Sequence, residues 1–94
     1  MKAVPTKVFE KWLDKLDMTI QVVVLKYIKR LEDGNFSNSK HLRKGIHELK
    51  IDFQKGYRVY FVNAEQNIVL LLCGGHKTTQ DKDIKKALEL KESL

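Results

Sequence analysis

Ninety-four residues, 43% hydrophobic and 32% charged, suffice for one domain around a modest core and exclude both a two-domain chain and a disordered one. The longest apolar run, Ile68 to Cys73, is far too short to cross a bilayer, and the N-terminal MKAVPTKVFEKW lacks the apolar stretch and cleavage site of a secretory signal. The net charge of +6 is uneven, with six cations against two carboxylates between residues 40 and 58, a footprint that suits RNA, DNA or an acidic protein.

Lys2–Pro5 fits a short edge strand, where a proline is tolerated. Thr6 is a candidate N-cap for a helix whose Phe9, Trp12, Leu13 and Leu16 share one stripe. A second helix begins near Asp17, carries Ile20, Val23, Val24, Tyr27, Ile28 and Leu31 at the same spacing, and stops at Gly34. Two such stripes predict a helical hairpin packed on a sheet. The polar and basic stretch Asn35–Lys44 reads as a loop.

Strand periodicity takes over at Ile46. Leu49, Ile51 and Phe53 alternate with Glu48, Lys50 and Asp52, so the two sets face opposite sides. Gln54-Lys55-Gly56 forms a hairpin turn, after which Tyr57, Val59 and Phe61 alternate with Arg58, Tyr60 and Val62. Beyond the polar turn Asn63–Asn67, the run Ile68–Cys73 has no polar face, as expected of a central strand covered on both sides, and Gly74-Gly75 ends it. The last helix starts near Thr78 or Thr79, where Thr78-x-x-Asp81 resembles a capping box, and Ile84, Ala87 and Leu88 form its stripe. The expected order is β-α-α-β-β-β-α, an α+β domain over residues 1–94.

Arg58 stands among aromatic and β-branched neighbours, where a guanidinium that cannot lose its proton needs a partner. A carboxylate across the hairpin, Glu48 or Asp52, would serve; so would a phosphate oxygen. Lys50 shares a face with Arg58 if the hairpin is in register, and Gly-Gly-His76-Lys77 brings an imidazole and another cation to the end of the next strand. Such a cluster can hold a phosphodiester and move its protons. Cys73-x-x-His76 resembles half a zinc site, but no second pair lies nearby, so no metal is expected.

The pieces HELKID, GYRVYF and LLLCGGHKTTQDKDIKKAL resemble the addiction-module killer proteins of the RelE/ParE superfamily, nearest the RelE/HigB-like toxins of type II toxin–antitoxin pairs. The resemblance implies a small RelE-like fold, a twisted antiparallel sheet packed against a helical hairpin and a C-terminal helix. It implies a cytoplasmic toxin, and the solitary Cys73 fits a reducing compartment. The implied activity is that of an mRNA interferase, a metal-independent endoribonuclease that needs no cofactor, cuts mRNA at the ribosome and inhibits translation. The implied partners are a cognate helix-turn-helix antitoxin, mRNA and the ribosome, with operator DNA reached only through the antitoxin.

By the same resemblance Arg58 contacts the scissile phosphate. Lys50 is the retained member of a lysine pair, and a lysine serves as base only where neighbouring cations favour its neutral form. Glu48 occupies the other position, either as base or as the group that orients Arg58 or Lys50. His76 stands where relatives of this motif carry Asp, and an imidazole can act as acid or base at neutral pH. Lys77 replaces a second arginine, keeping the charge but not the planar fork. Lys40, Arg43, Lys44 and Lys55 extend the RNA-binding surface. RelE-type toxins place an aromatic residue in the last helix; Asp81–Leu94 has none, so base stacking falls to Tyr57, Tyr60 or Phe36. A ParE-like DNA gyrase inhibitor without nuclease activity and an inactive antitoxin-binding relative stay open as alternatives.

Overall fold

The computed structural model describes residues 1–94. In chain order it holds β1 (Lys2–Pro5), α1 (Lys7–Asp14), α2 (Met18–Glu32), β2 (Ser39–Arg43), β3 (Ile46–Ile51), β4 (Tyr57–Glu65), β5 (Ile68–His76), one turn of 3-10 helix (Lys77–Thr79) and α3 (Gln80–Glu92). The strands form one sheet in the order β1-β5-β4-β3-β2. The α+β class and the layered arrangement agree with expectation. No helix is long and apolar enough to cross a membrane.

Alternation along the strands divides the core into two layers. Leu49, Ile51, Tyr57, Val59, Phe61, Val69 and Leu71 face α1 and α2, where they bury Phe9, Ile20, Val24, Ile28 and Leu31. Ile46, Tyr60, Val62, Leu72 and Cys73 face the other way and bury Ala87 of α3. A register shift explains why β5 shows no polar face. Tyr60 pairs with Cys73 but Phe61 pairs with Leu71, so Leu72 is an extra residue in β5. The bulge turns both Leu72 and Cys73 towards α3.

Local signals fix the helix ends. The Thr6 hydroxyl accepts from the amide of Phe9 at 3.1 Å and donates to the carbonyl of Leu72 at 2.8 Å, so one side chain caps α1 and fastens it to β5. Gly34, at φ +91°, closes α2: its amide donates to Leu31, and that of Asn35 donates to Arg30, the paired bonds of a Schellman turn.

Besides β4 running on to Glu65 through most of the stretch read as the turn Asn63–Asn67, four details depart from the expected order. The stretch read as a loop contains β2, which pairs antiparallel with β3 through a two-residue turn, Lys44-Gly45, with φ of 51° and 79°. Positive φ at both positions matches the twist of a hairpin, though lysine is an uncommon choice there. β2 is an edge strand with little buried surface, so it lacks an apolar signature. β1 pairs parallel to β5, which makes the sheet mixed. β5 does not end at Gly74-Gly75 but continues to His76. Finally, the expected capping box does not form: Thr78 Oγ1 lies 2.6 Å from Nδ1 of His76, and Thr79 is the N-cap of α3 without a side-chain cap bond.

Gly74 and Gly75 are required by close approach rather than by a turn. A Cβ on Gly74 would overlap the Trp12 indole ring from α1, and one on Gly75 would overlap the Asp83 carboxylate from α3. The two glycines therefore let a helix close on each face of the sheet at the same point along β5.

Candidate functional site

The hairpin β3–β4 places Lys50 directly opposite Arg58 and Glu48 directly opposite Tyr60. All four project to the α3 side, because their strand neighbours Leu49, Ile51, Tyr57 and Val59 are committed to the helical-hairpin side. α3 leaves this end of the sheet uncovered, and two adjoining clefts of about 450 Å³ each open there. Lys50, Asp52 and Arg58 line both. Lys77 closes one side, its stem packed beside Gly56. Ser37, Asn38 and Lys40 close the other.

Arg58 is held from below. Its Nη1 donates to Oε1 of Glu48 at 3.1 Å, with the two side chains 14% and 2% exposed. The other carboxylate oxygen of Glu48 accepts from Nε2 of Gln80, the first residue of α3, at 2.7 Å. Glu48 thus spans sheet and helix at the floor of the cleft, almost fully buried and committed to Arg58 and Gln80 through its two oxygens. The carboxylate orients the guanidinium, whose remaining donors have no protein partner and point to the clefts. Lys50 is exposed and makes only a loose surface pair with Asp52 at 3.9 Å, a contact of little energetic weight.

Sequence reasoning missed Gln80 altogether, although it lies within the quoted motif. Its polar side chain at the start of a helix gives no cue that it reaches back to a buried carboxylate. The Thr79 hydroxyl, 2.5 Å from Oδ2 of Asp83, ties down the same helix start. Between Glu48 and Asp83 lies the hydroxyl of Tyr60, fully buried and without a hydrogen-bond partner. Burial, and then the two nearby carboxylates, hold it well above the ordinary phenol range, so it stays protonated. Because the hydroxyl makes no bond, Tyr60→Phe is expected to leave stability unchanged or raise it by up to about 1 kcal/mol, read from urea unfolding. A loss of more than about 2 kcal/mol would mean the hydroxyl has a partner in solution.

The structure brings Glu48, Lys50, Arg58 and Lys77 together and sets His76 apart. Gly75 pairs with Arg58, so His76 pairs with Tyr57 and projects to the opposite face, beside Thr78. Lys40 lines one of the two clefts, whereas Arg43 lines only a separate hollow between β2 and α3, which Lys40 also borders. The carbonyl of Lys44 is bound by Lys91, and Lys55 lies 6.0 Å over the Tyr57 ring, on the far side of the hairpin. Of the three stacking candidates, Tyr57 and Tyr60 are buried and Phe36 is 48% exposed. Cys73 is buried, its thiol bonded to the carbonyl of Asp83 at 3.7 Å and pushed up to about 12 by burial, then by Asp83.

Comparison with known proteins adds three findings. The family described as Phage derived protein Gp49-like (DUF891) matches residues 11–92. An uncharacterised protein of Haemophilus influenzae is 48% identical over 90 residues, which span 95% of this chain and 91% of that protein. Among solved structures, a chain from the toxin–antitoxin complex RelBE2 of Mycobacterium tuberculosis aligns with a TM-score of 0.66 over 81% of this chain and 90% of that one. The identity there is 18%, so this likeness speaks to the fold alone.

Proposed function

Since the chain belongs to the phage-derived Gp49-like family and has the fold of a chain in a solved toxin–antitoxin complex, we propose that it is the toxin of a type II pair, acting as an endoribonuclease on mRNA. One observation carries this reading: Lys50, Arg58 and Lys77 line one open cleft, and Arg58 is locked by a buried carboxylate with its free donors outward. That is the arrangement a pentacovalent phosphorane needs, with fixed cations aimed at where negative charge develops.

In this reading the 2′-hydroxyl attacks the adjacent phosphorus, forming a 2′,3′-cyclic phosphate and breaking the bond to the 5′-oxygen. Lys50 accepts the hydroxyl proton, and the bidentate fork of Arg58 binds the non-bridging oxygens. Lys77 lines the same cleft and returns a proton to the leaving 5′-oxygen. His76 has no part at its observed position. Glu48 and Gln80 act only through Arg58.

Glu48 where RelE-type toxins carry lysine, and the lack of an aromatic residue in α3, keep open an inactive antitoxin-binding relative; the competing active reading is a gyrase inhibitor on the same scaffold. Induction in cells separates the two active readings. The nuclease reading expects protein synthesis to stop first, with cut transcripts; an SOS response with stalled replication would replace it by the gyrase reading.

A toxin of this kind needs a neutralising partner, and α2 offers a surface for one. Ile20, Val24, Ile28 and Leu31 are buried, yet Met18, Val22 and Leu25 form a second apolar stripe on the outer side and remain exposed. Lys26 and Lys29 flank that stripe, which suits an acidic amphipathic helix and disfavours a second copy of this basic chain. An interface with an apolar centre resists salt, whereas phosphate contacts do not. The chain and the product of its neighbouring reading frame are expected to co-purify at about 0.5 M salt, and Val22→Glu with Leu25→Glu to separate them there. Separation of the unmodified pair would make the interface mainly electrostatic.

A further inference from the structure

A further cleft, of about 280 Å³, lies around the edge of the sheet from the cationic ones and takes no part in the chemistry above. His41, His47 and Phe61 pair across β2, β3 and β4 and face the helical-hairpin side, at an end that α2 does not cover. Their rings form a ladder. His47 stacks on Phe61 with centroids 5.2 Å apart and planes 16° apart, and His41 meets His47 edge-on at 5.1 Å and 68°. Phe36 lines the same cleft with about half its surface exposed. Burial, and then His41, lower the pKa of His47, so a neutral ring faces the cleft.

Ser39 and Lys40 line both this cleft and the cationic one, so the two are separated by the width of a single edge strand. A duplex could not turn over such an edge; a single strand can. The lining is aromatic and heteroaromatic with no aliphatic side chain, and Ser39, Lys40 and Asn63 supply polar atoms at its rim. Aromatic rings beside a cationic track are what single-stranded nucleic acid requires of a binding surface.

We propose that this cleft is a nucleobase subsite: a base flanking the phosphate held by Lys50 and Arg58 turns over the edge of β2 and stacks between Phe36 and the His41–His47 pair. The proposal rests on the endoribonuclease reading and supplies the stacking platform that α3 lacks. The contact is sequence-tolerant in origin, since every base has a π-face, and the rim groups give it whatever preference it has.

The test uses a 2′-O-methyl oligoribonucleotide, which lacks the nucleophile and cannot be cut, with abasic positions scanned one at a time and binding read by fluorescence anisotropy. Phe36→Ala should weaken binding about tenfold, within the range of one lost base–aromatic stack. It should leave the slope of log Kd against log salt unchanged, because no phosphate contact is removed, whereas Lys40→Ala should flatten it. At one position the abasic change should weaken the unmodified protein equally and add nothing to Phe36→Ala. Undiminished binding by Phe36→Ala, or losses that multiply at every position, would overturn the subsite. If the Glu48→Gln, Arg58→Ala double variant still lowers affinity in that case, the groove stands and only the subsite falls; if the unmodified chain binds no RNA, both fall together.

Discussion

Arg58→Ala is expected to lower RNA cleavage by at least about 100-fold, the usual loss when one fixed donor to a developing oxyanion is removed. It will not be a silent change in the fold. Glu48 is 2% exposed and Arg58 is its only cationic partner, so the variant strands a carboxylate between the sheet and α3. Removing one member of a buried pair costs about 3–5 kcal/mol, a large share of the stability of a domain this small. The activity loss by itself is therefore ambiguous. Glu48→Gln combined with Arg58→Ala resolves it, since the neutral amide can still accept from Gln80 and needs no cation. The double variant should recover most of the stability in urea unfolding and none of the cleavage. Recovery of both would make Arg58 a structural residue.

The second large effect is expected at Gly74 and Gly75, with opposite consequences for adjacent residues. A methyl on Gly74 meets the rigid Trp12 ring between β5 and α1, which has no flexible end that could give way. Overpacking of this kind costs about 1–3 kcal/mol, and Gly74→Ala belongs at the upper end. A methyl on Gly75 meets the tip of the Asp83 side chain, which can swing away at the expense of its 2.5 Å bond to Thr79. That should cost nearer 1 kcal/mol, the value of one hydrogen bond. Yet Gly75 pairs with Arg58, and Asp83 sits one turn from Gln80, so the small shift falls on the residues that hold Glu48. Gly74→Ala should lower the melting temperature more and Gly75→Ala should lower cleavage more. The reverse order would mean that α3 does not position the groove.

Much of this was legible because strand alternation is strict. Leu49 and Ile51 against Glu48 and Lys50, with Tyr57 and Val59 against Arg58, fix the face of every groove residue on the hairpin before any coordinates exist. Two helices announced themselves by apolar spacing and by Thr6 and Gly34 at their ends. β2 did not, because an edge strand with most of its residues exposed has no reason to be apolar, and its turn uses Lys44 where asparagine or aspartate would have been a signal. His76 illustrates a different limit. Treating Gly74-Gly75 as a strand end leaves the next side chain free to point anywhere, but the glycines continue the strand for the sake of Trp12 and Asp83, and the pleat then turns His76 away from Arg58. Long-range partnerships such as Glu48 with Gln80, 32 residues apart, leave no local trace in sequence.

The central claim, that the Lys50–Arg58–Lys77 groove cuts RNA through its own 2′-hydroxyl, is tested most directly by the chemistry of the cut ends. Purified chain should be incubated in excess EDTA with free RNA and with ribosome-bound mRNA, and the fragment termini mapped. Cleavage is expected to be undiminished by the chelator, with 5′-hydroxyl ends and 2′,3′-cyclic or 3′-phosphate ends, and absent with the Glu48→Gln, Arg58→Ala double variant. Intact RNA in both reactions, or fragments bearing 5′-phosphate and 3′-hydroxyl ends, would contradict the claim.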